Sequence, residues 1–169
     1  METPRLLLRR WKPLDFQAFL RFAGDPEVIA PAVEASPGPA GGGDPVPPGP
    51  ADEAATHGAE GTGEPIGKIK FQEDLRRFRV NSLSIGYELA RAYWGRGLMT
   101  EALRAMLEFA FVRLHLNRVE AMFDVRNRAS GRVMEKCGMR REGLLRQKLY
   151  NKGEYVDVEI WAILARDRR

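Results

Sequence analysis

The sequence predicts a mixed α/β fold in which one β-sheet carries helices on both faces. Segments that alternate apolar and polar residues, typical of strands, are interleaved with segments whose apolar residues recur every three or four positions, typical of helices. A glycine-containing turn joins one such strand directly to the clearest helix. At 169 residues, the chain suits a single domain, residues 1–169.

The first part of the chain contains one strand, one helix and a long glycine- and proline-rich stretch. Residues 5–11 are extended in character, and a helical pattern follows Lys12 and Pro13. The apolar positions of this helix are Leu14, Phe16, Phe19 and Leu20. Residues 31–64 hold eight of the 17 glycines and seven of the 11 prolines. Because such a segment buries too little apolar surface to offset its ordering entropy, we expect a mobile loop there.

The middle of the chain predicts two strands and the clearest helix. Residues 66–71 form a strand, and residues 82–89 alternate into the glycine turn. Residues 100–114 carry apolar side chains at helical spacing. These are Leu103, Met106, Leu107, Ala110, Phe111 and Leu114.

The last third predicts a strand, a short helix and a hairpin. Residues 118–125 alternate, and residues 127–137 form a helix that ends at Gly138, a residue suited to a C-terminal cap with positive φ. Residues 144–150 and 155–163 flank a turn at residues 151–154, which predicts a closing hairpin.

Composition excludes several classes of function. No stretch approaches the roughly 20 apolar residues of a membrane span, and the first residues lack the apolar run of a signal peptide, so we expect a cytoplasmic protein without membrane contact. With one cysteine and two histidines, no metal site is expected, and Cys137 is interpreted as a small buried residue.

The net charge of +4 conceals an uneven distribution. All 27 Lys and Arg lie outside residues 31–64, which hold six of the 23 acids, so the rest of the chain carries +10. Such a body suits a polyanionic cofactor, RNA or the ribosome, or solvation by arginines, and charge alone does not choose among them.

The turn between the strand at residues 82–89 and the following helix has the chemistry of an anion site. It consists of Trp94, Gly95, Arg96, Gly97, Leu98, Met99, Thr100 and Glu101. The first turn of a helix has unpaired backbone N–H groups and partial positive charge, and glycines let an anion approach the backbone. We therefore interpret this turn as a pyrophosphate cradle, whereas by itself a purely structural turn is equally compatible with it.

Two linked motifs resemble the GNAT family of N-acetyltransferases, in particular the ribosomal-protein N-terminal acetyltransferases. The first motif runs from Ile85-Gly86-Tyr87-Glu88-Leu89 through Tyr93 and the glycine turn to Ala102. The second is Asn127-Arg128-Ala129-Ser130, continuing to Val133, Glu135, Lys136 and Gly138. The resemblance covers essentially all of the chain except residues 31–64. It implies a mixed, mostly antiparallel sheet whose splayed strands form the acyl-CoA site.

The resemblance also implies a role for individual residues toward acetyl-CoA. The exposed backbone at Tyr87 and Leu89 would bind the pantetheine arm and the thioester carbonyl, with the Leu89 N–H as oxyanion donor. Asn127 would bind the pantetheine arm, and Ser130 would lie close to the sulfur. The pyrophosphate would sit on a cradle formed by Trp94, Gly95, Arg96, Gly97, Leu98, Met99 and Thr100.

The sequence departs from the broad family in ways that affect the chemistry. Met99 occupies a position that is often Gly or Ala in the family, and Met134 stands where many relatives have a tyrosine as general acid. Protonation of the thiolate then falls to Ser130, to a water or to no group at all, and Ser130 is the preferred candidate. Glu88 is the candidate base because strand alternation puts it beside the proposed thioester site, although a solvated strand glutamate fits the pattern equally well.

These observations predict an acetyltransferase that uses acetyl-CoA and a primary amine, with the N-terminal α-amine of a ribosomal-type protein as the acceptor. Two alternatives remain open at this point: a small-molecule amine such as a polyamine or aminoglycoside, and a non-catalytic CoA-binding or ribosome-associated module. Ribosome association and a homodimer are compatible with the sequence.

Overall fold

Seven strands and three α-helices have defined bounds in this computed structural model, which describes residues 1–23, 25, 28, 53–58, 64–72, 81–151 and 153–168. The strands are β1 Leu6–Arg9, β2 Glu53–Gly58, β3 Pro65–Gln72, β4 Ser82–Leu89, β5 Arg118–Asp124, β6 Arg140–Asn151 and β7 Glu154–Leu164. The helices are α1 Phe16–Ala23, α2 Leu98–Val112 and α3 Arg128–Lys136.

The strands form one mixed, mostly antiparallel sheet in the order β1-β2-β3-β4-β5-β7-β6. β4 and β5 pair in parallel, and the other neighbours are antiparallel. A parallel pair needs a crossover connection, and the glycine turn and α2 supply it. The α/β architecture predicted from the alternating patterns is confirmed.

The core lies between the sheet and α2. Leu103 and Ala110 of α2 are fully buried against strand residues such as Ile69, Ile85 and Val119. The predicted buried face of this helix is confirmed except at Leu114, which is 40% exposed because it lies beyond the end of the helix. α1 packs on β3 and lies on the opposite face of the sheet, since Phe19 faces Lys68 rather than the core around Ile69.

β2 departs from the mobile loop expected at residues 31–64. Residues 53–58 pair with β1 on one side and with β3 on the other. Without this strand both neighbouring edges would expose unpaired backbone groups, and pairing satisfies them although the local sequence is poor in large apolar residues. Apart from these residues and Glu64, the predicted loop lies outside the described residues.

The apolar pattern of α1 does not mark a buried face as expected. Leu14 is 91% exposed, and Phe16 and Leu20 are also exposed, whereas Ala18 is buried. The helix therefore contacts the sheet through a narrower stripe than the sequence pattern suggests.

β4 and β5 separate part-way along their length. Their pairing ends at Ser84 opposite Glu120, although β4 continues to Leu89 and β5 to Asp124. The two strand ends therefore open into a V-shaped gap, as the resemblance implied. Among the described residues, no helix has the length and apolar character needed to span a membrane.

Candidate active site

A groove of about 810 Å3 occupies the gap between β4 and β5. One wall is formed by the end of β4, the glycine turn and the first residues of α2, and the other by the end of β5 and by α3. The groove reaches both faces of the sheet, because Tyr87 and Glu88, which point to opposite faces, both line it. A long ligand can therefore enter along α2 and meet a second molecule from the face that carries α1.

The glycine turn has the backbone geometry of an anion cradle. Gly95 and Gly97 adopt φ of 74° and 75°, a left-handed conformation that L side chains rarely adopt. Gly97 is the N-cap of α2 and supplies no side-chain capping bond. The amides of the first helical turn, including Leu98 and Thr100, have no acceptor within the helix and lie at the groove.

Hydrogen bonds from the N-terminal segment hold this turn in place. Glu101 accepts hydrogen bonds from Thr3 Oγ1 at 2.6 Å and from Arg5 Nε at 2.7 Å. Arg5 Nη1 also donates to the Arg96 carbonyl at 2.9 Å. Partial burial alone would raise the pKa of Glu101, but the hydrogen bonds from Thr3 and Arg5 outweigh burial and lower it. The carboxylate therefore stays ionised and ties the segment that precedes β1 to the cradle.

The end of β4 is fixed by the indole of Trp94, whose Nε1 donates to the Leu89 carbonyl at 2.6 Å. The Ala90 N–H donates to Ile66 of β3 at 2.8 Å. Because N–H groups alternate sides along a strand, the Leu89 N–H points away from β3 and toward the gap. This is the orientation required of the oxyanion donor expected at Leu89.

The N-terminal end of α3 forms the opposite wall of the groove. Asn127 is the N-cap, and its Oδ1 accepts from the Ser130 N–H at 3.1 Å. The Tyr87 hydroxyl donates to the Ser130 carbonyl at 3.2 Å and so bridges the gap between β4 and α3. Burial raises the pKa of Tyr87 well above its ordinary value, so this hydroxyl remains protonated. Met134 is buried beneath this region.

Glu88 is not a simple solvated glutamate. Its Oε1 lies 3.1 Å from Lys68 Nζ, and the side chains of this pair are only 9% and 7% exposed. Lys68 is directly opposite Glu88 in the antiparallel register and lies 5.4 Å from the centre of the Phe19 ring. The carboxylate is thus positioned at the groove by a buried cation.

A second carboxylate closes the same side of the groove. Asp124, at the end of β5, is 3% exposed and accepts from the Arg126 N–H at 2.9 Å and from its Nε at 3.0 Å. Burial would raise the pKa of Asp124, but these bonds to Arg126 outweigh it and lower the pKa. Arg126 also forms an ion pair with Glu154 of the β6–β7 hairpin. These groups line the groove on the Glu88 face.

Cys137 lies behind the cradle rather than at a reactive position. Its Sγ lies 3.5 Å from the Thr100 carbonyl, and burial raises its pKa to about 11. Little thiolate forms at neutral pH, which does not favour a nucleophilic role. Within the described ranges, no three His, Cys, Asp or Glu residues are grouped as metal ligands.

A family model described as "Acetyltransferase (GNAT) domain" matches residues 5–140. The chain belongs to the GNAT family. This match includes the glycine turn, the splayed strands and α3, which together form the groove.

Curated relatives match part of the chain. "Probable N-acetyltransferase YjcK" of Bacillus subtilis is 43% identical over 102 residues, 60% of this chain and 56% of the relative. "Putative ribosomal N-acetyltransferase YdaF" of the same species is 37% identical over 83 residues, 49% of this chain and 45% of the relative. This chain thus spans about half the length of these relatives.

A solved GNAT structure matches the whole fold. The acetyltransferase from Bacillus anthracis has a TM-score of 0.79 at 25% identity, over 98% of both chains. The seven-stranded sheet and its helices therefore follow the architecture of a solved GNAT acetyltransferase.

Apart from Arg96, the structure brings the site residues expected from the sequence to one groove. The groove lining includes Tyr87, Glu88, Leu89, Trp94, Gly95, Gly97, Leu98, Met99, Thr100, Asn127 and Ser130. Arg96 lies on the same turn, with its guanidinium 5.5 Å from the centre of the Tyr93 ring.

Sequence reasoning missed Lys68, Asp124 and Arg126. Their positions depend on strand register and on the β5–α3 turn. Lys68 and Lys70 inside the strand at residues 66–71 were the available signal for Lys68.

Proposed function

We propose that this GNAT protein transfers an acetyl group from acetyl-CoA to a primary amine, and that the amine is a protein N-terminus of the ribosomal type. The observation that carries the proposal is the gap between β4 and β5, which begins beyond Ser84 and leads to the glycine cradle. Its two ends have different chemistry, as a thioester with a pyrophosphate-bearing tail requires.

The cradle fits the tail of acetyl-CoA. The first-turn amides of α2 and Arg96 bind the pyrophosphate, and the Tyr87 and Leu89 backbone and Asn127 bind the pantetheine arm. Gly95 supports this role because an added Cβ would meet nothing within 4 Å, so the cradle is open at this residue. The local chemistry therefore agrees with acetyl-CoA as co-substrate.

The groove residues then have distinct roles in acyl transfer. The acceptor nitrogen attacks the thioester carbonyl, the C–N bond forms, and the C–S bond breaks to release the CoA thiolate. The Leu89 N–H stabilises the carbonyl oxygen as it gains charge. Glu88 takes the amine proton through a water, and Ser130 supplies a proton to the thiolate. Holding the two reactants in one groove contributes much of the acceleration.

The charge pairing of the groove supports a monocationic acceptor. Among the described lining residues, Glu88 pairs with Lys68, while Asp124 and Glu154 both pair with Arg126. A polyamine carries several positive charges and needs unpaired acids to balance them, whereas an α-amine carries at most one. The relative named as a ribosomal N-acetyltransferase supports the same choice, and ribosome association belongs to this proposal.

The polyamine alternative must still be tested, because a spermidine N-acetyltransferase from Vibrio cholerae shares the fold at 17% identity and a TM-score of 0.76. We propose to incubate the protein with acetyl-CoA and a peptide with a free N-terminal Ala or Ser, with the same peptide N-blocked, with spermidine or with an aminoglycoside. Release of CoA thiol is measured for each.

The proposal predicts turnover with the free peptide and none with the blocked peptide. The kcat/KM for spermidine should be lower than that for the free peptide by about tenfold or more. Preference for spermidine or the aminoglycoside would overturn the protein acceptor. CoA binding without thiol release from any amine would instead support a non-catalytic CoA-binding module. The variant Glu88→Gln should slow turnover while leaving CoA affinity unchanged.

A further inference from the structure

Lys70 lines the groove, and acyl transfer leaves it without a role. It lies on β3 two residues after Lys68, so the two side chains share the face of the sheet that carries α1 and are about 7 Å apart along the strand. Lys68 is opposite the candidate base Glu88, and Lys70 is opposite Gly86. Because Gly86 has no side chain, the path from Lys70 across β4 to the gap is open. Neighbouring strands lie about 4.8 Å apart, which is within reach of the four-carbon stem of a lysine.

Lys70 is partly exposed, and its ammonium has no counter-charge within the described part of the chain. The described acids on the same face have cations as partners. Their ion pairs are Glu88–Lys68, Glu120–Arg118, Asp124–Arg126 and Glu154–Arg126. Because Arg126 serves two acids, its side of the groove keeps one excess negative charge, while the β3 side keeps the positive charge of Lys70. This face therefore suits an acceptor with an ammonium group and a carboxylate a short distance apart.

The register places Lys70 at the narrow end of the gap. β4 and β5 are still paired at Ser84 and Glu120, and the Ser84 hydroxyl donates to Glu120 Oε1 at 3.4 Å. Gly86 and Met122 are the next residues on this face, and both line the groove. The narrow end is thus a small recess with a closed base, an apolar wall at Met122 and Lys70 at its edge.

The spacing between Glu88 and Lys70 fits two groups of one acceptor. In a peptide whose α-amine lies at Glu88, the Cα of the second residue is about 5 Å from that amine, and its side chain extends farther. An acidic side chain there brings its carboxylate within reach of a lysine about 7 Å along the strand. Hydrogen bonds between an ammonium group and a carboxylate are charge-assisted and stronger than neutral ones.

Resting on the proposed function, we propose that Lys70 determines acceptor specificity by binding the side-chain carboxylate of an acidic second residue. The preferred acceptors are then protein N-termini in which Ala or Ser is followed by Asp or Glu. The excess negative charge around Arg126 attracts the protonated amine before Glu88 takes its proton, and Lys70 holds the carboxylate at the narrow end. An acceptor with Lys or Arg as its second residue brings like charges together and is disfavoured.

The test measures kcat/KM on the full chain, with acetyl-CoA and peptides that differ only at the second residue. After an N-terminal Ser, the peptides carry Asp, its isostere Asn, or Lys. Wild type should prefer the Asp peptide to the Asn peptide by about tenfold, chiefly through KM, and the Lys peptide should be poorer still. Lys70→Gln should bring the Asp and Asn peptides within about twofold of each other. Lys70→Glu should reverse the order, so that the Lys peptide exceeds the Asp peptide.

The matched control is Arg113→Gln, which removes an exposed cation just beyond the end of α2 and outside the groove lining. It should keep the wild-type preference. Equal kcat/KM for the Asp and Asn peptides in the wild type would overturn the role of Lys70 while leaving the acetyltransferase proposal intact. A preference for Asp that survives both Lys70→Gln and Lys70→Glu would also overturn it, because another group would then bind the carboxylate. Absence of turnover with every peptide would overturn both the role of Lys70 and the protein acceptor.

Discussion

Lys68 Nζ lies 3.1 Å from Glu88 Oε1, and the pair is almost completely buried between β3, β4 and the side chain of Phe19. A buried pair gains little over apolar residues of the same size, but removing one partner leaves the other charge uncompensated. The ion pair that holds the candidate base Glu88 in place therefore also affects the stability of the sheet. Lys68 in β3 is a positioning residue for Glu88.

Lys68→Met should lower the free energy of unfolding by about 3 kcal/mol, because it leaves the Glu88 carboxylate without its cation. The double variant Lys68→Met with Glu88→Gln should lose less than the sum of the two single losses. Urea unfolding measures all three. Lys70→Met, which removes a second lysine at the same groove, should change stability by no more than about 0.5 kcal/mol, and a Lys68 loss no larger than that would contradict the coupling.

Ser130→Ala should reduce kcat by about a hundredfold with little change in KM for acetyl-CoA, if its hydroxyl protonates the thiolate. Tyr87→Phe removes only the hydroxyl that donates to the Ser130 carbonyl, so its effect on kcat should be smaller. Steady-state kinetics with the peptide acceptor separate the two. A larger loss for Tyr87→Phe would transfer the acid role to Tyr87, whose raised pKa keeps a proton available.

Glu101→Gln should remove an acid-sensitive part of the stability. The pKa of Glu101 is lower in the folded protein than its ordinary value of 4.5, because bonds from Thr3 and Arg5 outweigh its burial. Its contribution is therefore complete above about pH 4.5 and is lost as the pH falls through the folded value. Unfolding measured from about pH 7 to about pH 3 should show the wild type and the variant converging in acid.

The matched control is Glu108→Gln, an exposed glutamate on the same helix. Its stability should follow the wild-type pH dependence throughout. Glu101→Gln should also raise the KM for acetyl-CoA, because Arg5 no longer has the carboxylate that holds it against the Arg96 carbonyl. If the free energy of unfolding of Glu101→Gln stays below that of the wild type by a constant amount at every pH, the stabilising role of the bonds from Thr3 and Arg5 to Glu101 is contradicted.

The helices and strands whose apolar residues recur at a regular spacing along the chain were predictable from sequence. The helix at residues 98–112 repeats apolar side chains on one face, and Gly97 and Gly138 mark its start and the end of α3 through positive φ. β2 was not predictable, because it forms through pairing with β1 and β3 rather than through its own pattern.

The same distinction applies inside the site. The cradle is contiguous in the chain and its residues were predicted together. By contrast, the pairing of Glu88 with Lys68 depends on the antiparallel register of two strands, and a shift of one residue would place them on opposite faces. The environment of the candidate base therefore required the three-dimensional structure.

Gly67→Ala should disturb that register directly. A Cβ at Gly67 would lie 2.4 Å from the Glu88 carbonyl oxygen and 3.2 Å from Leu89 Cα, and these backbone atoms cannot rotate away as a side chain would. β3 must then move from β4, which should cost about 2 kcal/mol of stability and lower kcat by displacing Glu88 and Leu89. At Gly143 the corresponding Cβ would lie 3.6 Å from Ile160 Cγ2, an ordinary contact. The thermal unfolding and the kinetics of Gly143→Ala should therefore stay close to those of the wild type. If Gly67→Ala and Gly143→Ala have equal effects, the close approach of β3 to β4 is not what positions the site.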